Sequence, residues 1–231
     1  MKKALIIGAS SGIGKVLALR WAAQGITVYI TGRRENLLQE IQQQYPQQIK
    51  IAVFDVNTLQ NNFHLEKIAS EAGQLEAIVY SSGVGEFNKQ LDFTIEKSMV
   101  DTNAVAFTQI ADWCWHYFKQ KEKGVFASIT SIAGMMSSRH APAYNASKAY
   151  QINYLKSLRL KAAYEKLKLI QFTDLRTGFV DTPMAKAKAK FWVADVNKAA
   201  AQMDSAIKNK KKVAYITKRW RLVGWLSRHF S

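Results

Sequence analysis

The chain alternates short apolar runs with longer stretches in which apolar residues recur every three or four positions. The short runs are rich in Val, Ile, Phe and Tyr, which is typical of strands. They are Ala4–Gly8, Thr27–Thr31, Ile49–Phe54, Ala77–Ser81, Gly124–Thr130, Leu167–Asp174 and Lys212–Ile216. The longer stretches predict helices near Ile13–Gln24, Glu35–Gln44, Leu59–Ala72, Ile95–Lys121, Tyr144–Tyr164 and Val196–Lys208.

This alternation predicts a parallel sheet with helices on both faces, because parallel neighbours are joined by helical crossovers. Seven strands in one unbroken series indicate a single doubly wound α/β domain over residues 1–231. In such a domain ligands bind at the carboxyl ends of the strands, so the residues after each strand are the candidates for chemistry.

Composition indicates the class of protein and its compartment. Of the 231 residues, 48% are apolar and 22% charged, which is typical of a soluble globular protein. Cys114 is the single cysteine, so no internal disulfide can form and a reducing, cytoplasmic location is expected. The first apolar run is too short for a signal peptide, and no run is long enough to span a bilayer.

Charge is unevenly distributed along the chain. The net charge is +16, and residues 151–231 carry +13 of it, most densely at Lys208–Lys212 and Lys218–Arg221. The favoured interpretation is a solvated surface. The alternative is weak attraction to an anionic membrane or an acidic carrier protein. A nucleic-acid partner is not expected, because the basic region has no recognisable binding motif.

A glycine-rich turn lies between the first predicted strand and the first predicted helix. Gly8, Gly12 and Gly14 allow a sharp turn and close approach to a ligand. The helix start beyond them offers main-chain N–H groups and a positive dipole end to a diphosphate. A tight structural loop would also contain glycines. The position of this turn, after a strand and before a helix, favours diphosphate binding over that alternative.

Two arginines, Arg33 and Arg34, follow the second predicted strand. In dinucleotide-binding folds this strand end meets the adenosine ribose, where an acid suits NAD and a cation suits the 2′-phosphate of NADP. The acid is missing here. We therefore predict NADP (NADPH) rather than NAD, with Arg33 at the 2′-phosphate. The alternative is that the two arginines only form the solvated start of a helix.

A second group of polar residues suits proton transfer. Tyr144 and Lys148 are four positions apart, which places both on one helix face. A tyrosine has a pKa of about 10, and a neighbouring ammonium is expected to lower it and make the pair a usable proton donor and acceptor. Ser131 follows the fifth predicted strand, where its hydroxyl is placed to steady a substrate oxygen.

Together these motifs resemble the short-chain dehydrogenase/reductase family, which has a Rossmann-type fold, over nearly the whole chain. Ser131, Tyr144 and Lys148 match the family's catalytic triad, and Asn103 matches the asparagine that completes a tetrad with a water relay. The resemblance implies transfer of a pro-S hydride from nicotinamide to a carbonyl carbon. Tyr144 would protonate the oxygen, Ser131 would hold it, and Lys148 would grip the ribose.

The resemblance also implies further cofactor contacts. Asp55 matches the residue that meets the adenine, and Thr182 matches the threonine that holds the nicotinamide carboxamide. The expected cofactor-binding residues are Gly8, Ser10, Ser11, Gly12, Ile13, Gly14, Arg33, Asp55, Val56, Ser82, Gly83, Tyr144, Lys148, Gly178, Val180 and Thr182. No metal site is expected.

Two residues depart from the family pattern. Ser81 stands where the family has an asparagine after the fourth strand, and Thr177 stands where it has a proline. The first change leaves support of the strand to Ser81 and the backbone. The second is expected to free the backbone beside the nicotinamide. Neither removes a proton-transfer group, so activity is expected.

The substrate loop is expected between Pro183 and Val196. An apolar lining predicts a hydrophobic carbonyl or alcohol substrate, while ordinary lid and core packing explains the same residues equally well. The candidate substrate residues are Phe87, Met135, Met136, Met184, Phe191 and Trp192.

A basic amphipathic segment is expected at the end of the chain, over about 218–230. Its apolar stripe consists of Leu222, Val223, Leu226 and Phe230. Docking on the parent domain or on a second subunit is the favoured use of such a stripe, and binding to an anionic lipid surface is the alternative.

The leading hypothesis is an NADP-dependent carbonyl reductase or alcohol dehydrogenase that assembles as a homodimer or homotetramer, the oligomers that the resemblance implies. Within the enzyme class, the alternative is a 3-oxoacyl reductase that acts on a carrier-bound substrate. Outside it, the alternative is an NADP-binding sensor or scaffold without turnover, which the changes at Ser81 and Thr177 motivate.

Overall fold

The computed structural model describes residues 1–58, 60–184 and 192–222. Within them seven strands form one sheet: β1 (Lys3–Ile7), β2 (Thr27–Gly32), β3 (Ile49–Val53), β4 (Ala77–Tyr80), β5 (Gly124–Ser131), β6 (Ile170–Thr177) and β7 (Val213–Ile216). All neighbours are parallel, in the order β3-β2-β1-β4-β5-β6-β7. The predicted seven-stranded parallel sheet is confirmed.

Helices cover both faces of the sheet. They are α1 (Gly12–Ala22), α2 (Glu35–Gln44), α3 (Asn61–Ala72), α4 (Phe93–Val100), α5 (Phe107–Lys121), α6 (Pro142–Tyr164) and α7 (Val196–Lys208), with a π-helical turn (Asp101–Ala106) and a 3₁₀ turn (Ile132–Met135). One core contains residues of α1, α2 and α7, and the other contains residues of α3, α5 and α6. No helix among the described residues is long and apolar enough to cross a membrane.

Successive residues of one strand pack into alternate cores. Ile6 belongs to the core of α1, α2 and α7, while its neighbours Leu5 and Ile7 belong to the other core. Because successive side chains of a strand point to opposite faces and both faces are covered, the strands appear in the sequence as continuous apolar runs.

The strand order creates the crevice in which the candidate site lies. The chain moves outward from β1 to β3 and then returns to β4 on the other side of β1. This reversal leaves a gap between the carboxyl ends of β1 and β4, which is where open α/β sheets bind ligands. The loops after β1, β4 and β6 and the last residues of β5 face one cavity there.

Two predicted elements differ in the structure. β6 is predicted over Leu167–Asp174 but runs from Ile170 to Thr177, because a capping turn at the end of α6 occupies the preceding residues. In that turn Lys166 has a φ of 59°, and the Leu167 N–H donates to Ala162 O at 2.9 Å. The helix predicted over 95–121 consists of α4, the π-helical turn and α5.

One buried carboxylate ties α1 to α7. Asp204 is 4% exposed. It accepts hydrogen bonds from Trp21 Nε1 at 2.8 Å, Arg20 Nε at 3.1 Å and Gln24 Nε2 at 3.3 Å, and it pairs with Lys208 at 3.0 Å. Burial by itself would raise the pKa of Asp204, but these four donors hold it below its ordinary value of 3.8.

We expect Asp204→Ala to lower the free energy of unfolding by about 1–3 kcal/mol, because the buried Trp21 N–H loses its acceptor. Since the pKa of Asp204 is lowered on folding, its contribution is present above the unfolded pKa of 3.8 and is lost as the pH falls through the folded pKa. Urea unfolding at neutral pH and at acid pH measures both effects. Asp112→Ala, which removes an exposed carboxylate, is the control, and equal stability of the two variants would contradict the prediction.

Candidate active site

The turn after β1 leaves no room for a side chain at two of its glycines, Gly8 and Gly14. Gly8 has a φ of +88°, and a Cβ there would lie 2.4 Å from Ser82 Oγ. A Cβ on Gly14 would lie 2.4 Å from the carbonyl oxygen of Gly8. Ser11 precedes α1, and among the described residues its hydroxyl makes no capping hydrogen bond to the first N–H groups of the helix. The first turn of α1 therefore offers main-chain donors and a positive dipole end, which suit a diphosphate.

Two arginines lie beside this turn at the end of β2. Arg34 Nη2 donates to Ser10 Oγ at 2.7 Å and to Ser11 Oγ at 2.8 Å. Arg33 pairs with Asp55 at 3.3 Å, and 68% of the Arg33 side chain is exposed. An exposed pair of this kind contributes only about 0–1 kcal/mol, so an incoming anion can replace it. The sequence pattern pointed to both arginines but assigned only Arg33 to the phosphate, whereas Arg34 also lines the cavity.

Ser131 and Tyr144 come together beyond the end of β5. Ser131 Oγ accepts from Ala133 N at 3.1 Å and lies 3.3 Å from Thr177 O, and the hydroxyl also hydrogen-bonds with Tyr144. Desolvation raises the pKa of Tyr144 above 10.0, and the hydrogen bond to Ser131 opposes this rise only in part. The expected lowering of the Tyr144 pKa is therefore not found. The phenol stays protonated, which is the form that donates to a substrate oxygen.

Lys148 carries a buried ammonium on the same face of α6. Its side chain is 5% exposed, and Nζ donates to Ile129 O at 3.1 Å and to Gln151 Oε1 at 3.0 Å. Nζ lies 5.9 Å from the centroid of the Tyr144 ring. Burial lowers the pKa of Lys148 to about 8, against the attraction of Asp174, which raises it. Lys148 is thus mainly a cation at neutral pH.

Asn103 is fully buried in the π-helical turn. Its Nδ2 donates to Val84 O at 2.7 Å and to Ser147 Oγ at 3.1 Å, and its Oδ1 accepts from Val84 N at 3.0 Å. Asn103 therefore fixes the loop after β4. Its main-chain oxygen accepts from Gln151 Nε2 at 2.8 Å. Gln151 was not among the predicted site residues, and its place three positions after Lys148 on one helix face was the available signal.

A cavity of about 630 Å³ joins these groups. Most of the predicted cofactor residues line it: Gly8, Ser10, Ser11, Gly12, Ile13, Arg33, Asp55, Val56, Ser82, Gly83, Tyr144, Lys148, Gly178, Val180 and Thr182. Gly14 lies behind the turn, against Gly8 and Ser81. Asn103 and Ser131 are not lining residues themselves, but their side chains bond to Val84 and Tyr144, which are.

The predicted substrate residues divide into two groups. Phe87, Met136 and Met184 line the outer part of the cavity, and their side chains are 60%, 38% and 46% exposed. Met135 does not face it, because Met135 Sδ packs 3.4 Å from Arg176 Nη1.

Trp192 packs edge-on against Trp220, with ring centroids 5.7 Å apart, and is not part of the cavity wall. Phe191 lies outside the described residues. Most of the predicted C-terminal segment, residues 223–231, also lies outside them, including Val223, Leu226 and Phe230 of the stripe. Leu222 is described and is 57% exposed.

Thr177 does not free the backbone, contrary to expectation. It is the last residue of β6, in register with Ser131 of β5 and Ile216 of β7. Thr177 Oγ1 donates to Thr130 O at 2.9 Å, a hydrogen bond that proline could not make. At the other departure, Ser81 N donates to Ile7 O at 2.8 Å, so the backbone itself holds the end of β4 against β1.

Sequence comparison relates the chain to one enzyme family. The family described as short chain dehydrogenase matches residues 2–193. An uncharacterised oxidoreductase of Staphylococcus epidermidis is 29% identical over 189 residues, which are 80% of each chain. A 3-ketodihydrosphingosine reductase of Bacteroides thetaiotaomicron is 30% identical over 185 residues, which are 77% of this chain and 65% of that protein.

Solved structures share the fold at low sequence identity. ElxO with NADP bound superposes with a TM-score of 0.82 at 19% identity, covering 93% of this chain and 96% of that one. A 3-ketoacyl-(acyl-carrier-protein) reductase from Brucella melitensis, complexed with NADH, gives a TM-score of 0.79 at 19% identity, covering 93% and 95%. At this level of identity the two structures establish likeness of fold.

We expect Tyr144→Phe to reduce turnover by at least about 100-fold, because it removes a positioned acid without removing the ring. Steady-state oxidation of the reduced cofactor with any substrate that is found measures the loss. Tyr154→Phe, on the same helix and outside the cavity wall, is the control. Turnover of Tyr144→Phe within tenfold of the unaltered protein would contradict the assignment.

Proposed function

The chain belongs to the short chain dehydrogenase family, and we propose that within it the protein reduces an apolar ketone with NADPH. The observation that carries the proposal is that Tyr144 and Lys148 line one side of a cavity whose other side is the glycine turn, with Ser131 bonded to Tyr144. A non-catalytic sensor would not require this arrangement of a protonated phenol, a hydroxyl and an ammonium.

The proposed chemistry divides between the cofactor and the chain. Bound nicotinamide supplies the hydride. Tyr144 donates its phenolic proton to the carbonyl oxygen, and the Ser131 hydroxyl donates a hydrogen bond to the same oxygen as it gains charge. Lys148 holds a positive charge near the Tyr144 ring, which offsets the negative charge left on the phenolate.

The residues around the cavity fit a dinucleotide phosphate. The open N–H groups at the start of α1 suit the diphosphate. Arg33 and Arg34 suit a 2′-phosphate, since the guanidinium group binds phosphate in a bidentate manner and both line the cavity. Asp55 would then exchange its exposed contact with Arg33 for a contact with the adenosine end of the cofactor.

The outer part of the cavity supports an apolar substrate. Phe87, Met136, Phe179 and Met184 line it and are all partly exposed, so the mouth presents hydrocarbon and thioether groups to an entering ligand. The Bacteroides thetaiotaomicron relative is a 3-ketodihydrosphingosine reductase, which supports a long-chain ketone here.

The second candidate is reduction of a 3-oxoacyl group on an acidic carrier protein. Two observations favour it: the charge of +13 on residues 151–231 and the fold likeness to a 3-ketoacyl-(acyl-carrier-protein) reductase. A panel of long-chain ketones, short ketones and carrier-bound 3-oxoacyl groups, assayed with NADPH and NADH, separates the candidates. Oxidation of NADPH with the free ketones supports the first candidate, oxidation with the carrier-bound group alone supports the second, and no oxidation with any member would contradict both.

We expect NADPH to bind more tightly than NADH, because the end of β2 carries arginines and no acid. Titration followed by tryptophan fluorescence gives both dissociation constants. Arg33→Ala and Arg34→Ala should each reduce the ratio of affinities at least about tenfold, the effect of losing one charge-assisted contact. Lys50→Ala, an exposed lysine on β3, is the control. Equal affinities for the two cofactors, or an unchanged ratio in both arginine variants, would contradict a 2′-phosphate contact.

We expect a homodimer or homotetramer that buries the outer surface of α5 and α6. Val105, beside α5, is 60% exposed, and Leu160 and Tyr164 of α6 are 64% and 88% exposed. Light scattering after gel filtration measures the mass. Leu160→Glu should shift the protein toward the monomer, since a charge would be buried in the contact. Phe63→Glu, on α3, should leave the mass unchanged, and a monomeric unaltered protein would contradict the expectation.

A further inference from the structure

Gln151 is a fully buried polar side chain that touches two groups of the site without lining its cavity. It lies on α6, three positions after Lys148. Burying a carboxamide is unfavourable unless its oxygen and its nitrogen both find partners. Both do: Oε1 accepts from Lys148 Nζ at 3.0 Å, and Nε2 donates to Asn103 O at 2.8 Å.

The two contacts fix which way the carboxamide points. Its oxygen faces a cation, and its nitrogen faces a carbonyl oxygen. The reverse orientation would set an N–H₂ group against an ammonium and an oxygen against an oxygen, which is repulsive at both ends. Gln151 therefore links Lys148 of α6 to the π-helical turn that carries Asn103, and the link has one stable arrangement.

The link also limits where Lys148 can exchange protons. Two of its three N–H groups are directed to Gln151 Oε1 and to the main-chain oxygen of Ile129, and Gln151 does not line the cavity. A water molecule at this place could relay a proton to and from Lys148. A carboxamide cannot, because it does not titrate in the working pH range. Lys148 lines the cavity, which leaves the cavity side for its third N–H group.

We propose that Gln151 is a positioning residue, which holds the Lys148 ammonium toward the cavity and closes its inner side to proton exchange. The inference rests on the proposed function, because it assigns Lys148 to the reaction. It further implies that the proton which Tyr144 gives up is replaced from the cavity side.

The charged groups around Lys148 determine what a substitution does. Tyr144 faces it from the same helix and is neutral in the working range. Asp174 acts on it from β6 and is itself paired with Arg176 at 2.7 Å. Gln151 on α6 and Asn103 in the π-helical turn contribute neutral dipoles. A change at Gln151 therefore alters the charge balance of Lys148 while leaving these other groups in place.

The test is the pH dependence of two variants that change the polar link in opposite senses. Gln151→Met keeps the volume but removes the acceptor of the Lys148 hydrogen bond. The alkaline limb of the pH–rate profile, where turnover falls because Lys148 loses its proton, should therefore move down by about one pH unit. Gln151→Glu adds a negative charge, so the limb should move up by a similar amount. Leu155→Met, a packing change one turn further along α6, is the control and should not move the limb.

NADPH affinity measured by tryptophan fluorescence over the same pH range is the second readout, and it needs no substrate. If no ketone is reduced, the proposed function fails, while opposite shifts in the pH dependence of binding still support the role of Gln151. A limb at the same pH in both variants and in the unaltered protein would overturn the inference. If Gln151→Met does not fold, Gln151→Glu alone decides, because an unshifted limb in that variant is enough to reject it.

Discussion

The ammonium of Lys148 is the constraint on which the arrangement of the site depends. At 5% exposure Lys148 has little contact with water, so the protein must supply most of its acceptors and compensating charge. The end of β5 supplies Ile129 O, α6 supplies Gln151 Oε1, and β6 supplies the field of Asp174. Three elements are thereby fixed around one charge. The pKa of Lys148, lowered by burial to about 8, still leaves that charge in place at neutral pH.

The same region shows how strand ends become a site. Because the sheet is parallel and reverses its order at β1 and β4, the residues after six different strands meet in one crevice. The surrounding contacts hold them there. Asn103 fixes the loop after β4 through Val84, and Thr177 fixes the end of β6 through Thr130. The site is thus supported by hydrogen bonds between elements, with the cavity wall resting on residues behind it.

Much of the fold was predictable because its signals are local. The alternation of apolar runs and amphipathic stretches gave every strand, and the glycine turn and Tyr144-x3-Lys148 indicated where the cavity lies. The start of β6 was not predictable, because a capping turn at Lys166 displaces it. The position of Met135 depends on its tertiary contact with Arg176, and the role of Gln151 depends on its contact with Asn103, so neither was predictable from the sequence. The pKa of Tyr144 likewise depends on desolvation, which spacing along a helix does not reveal.

We propose above all that this cavity holds nicotinamide with one face toward Tyr144 and Ser131. Stereospecific deuterium transfer tests it most directly. NADPH labelled with deuterium in the pro-S or in the pro-R position is incubated with the protein and a panel of apolar ketones, and the alcohol is analysed by mass spectrometry. We expect a product one mass unit heavier from the pro-S label alone, the side of the nicotinamide that the family resemblance implies. Transfer from both labels, from the pro-R label alone, or no product from any ketone would contradict the proposal.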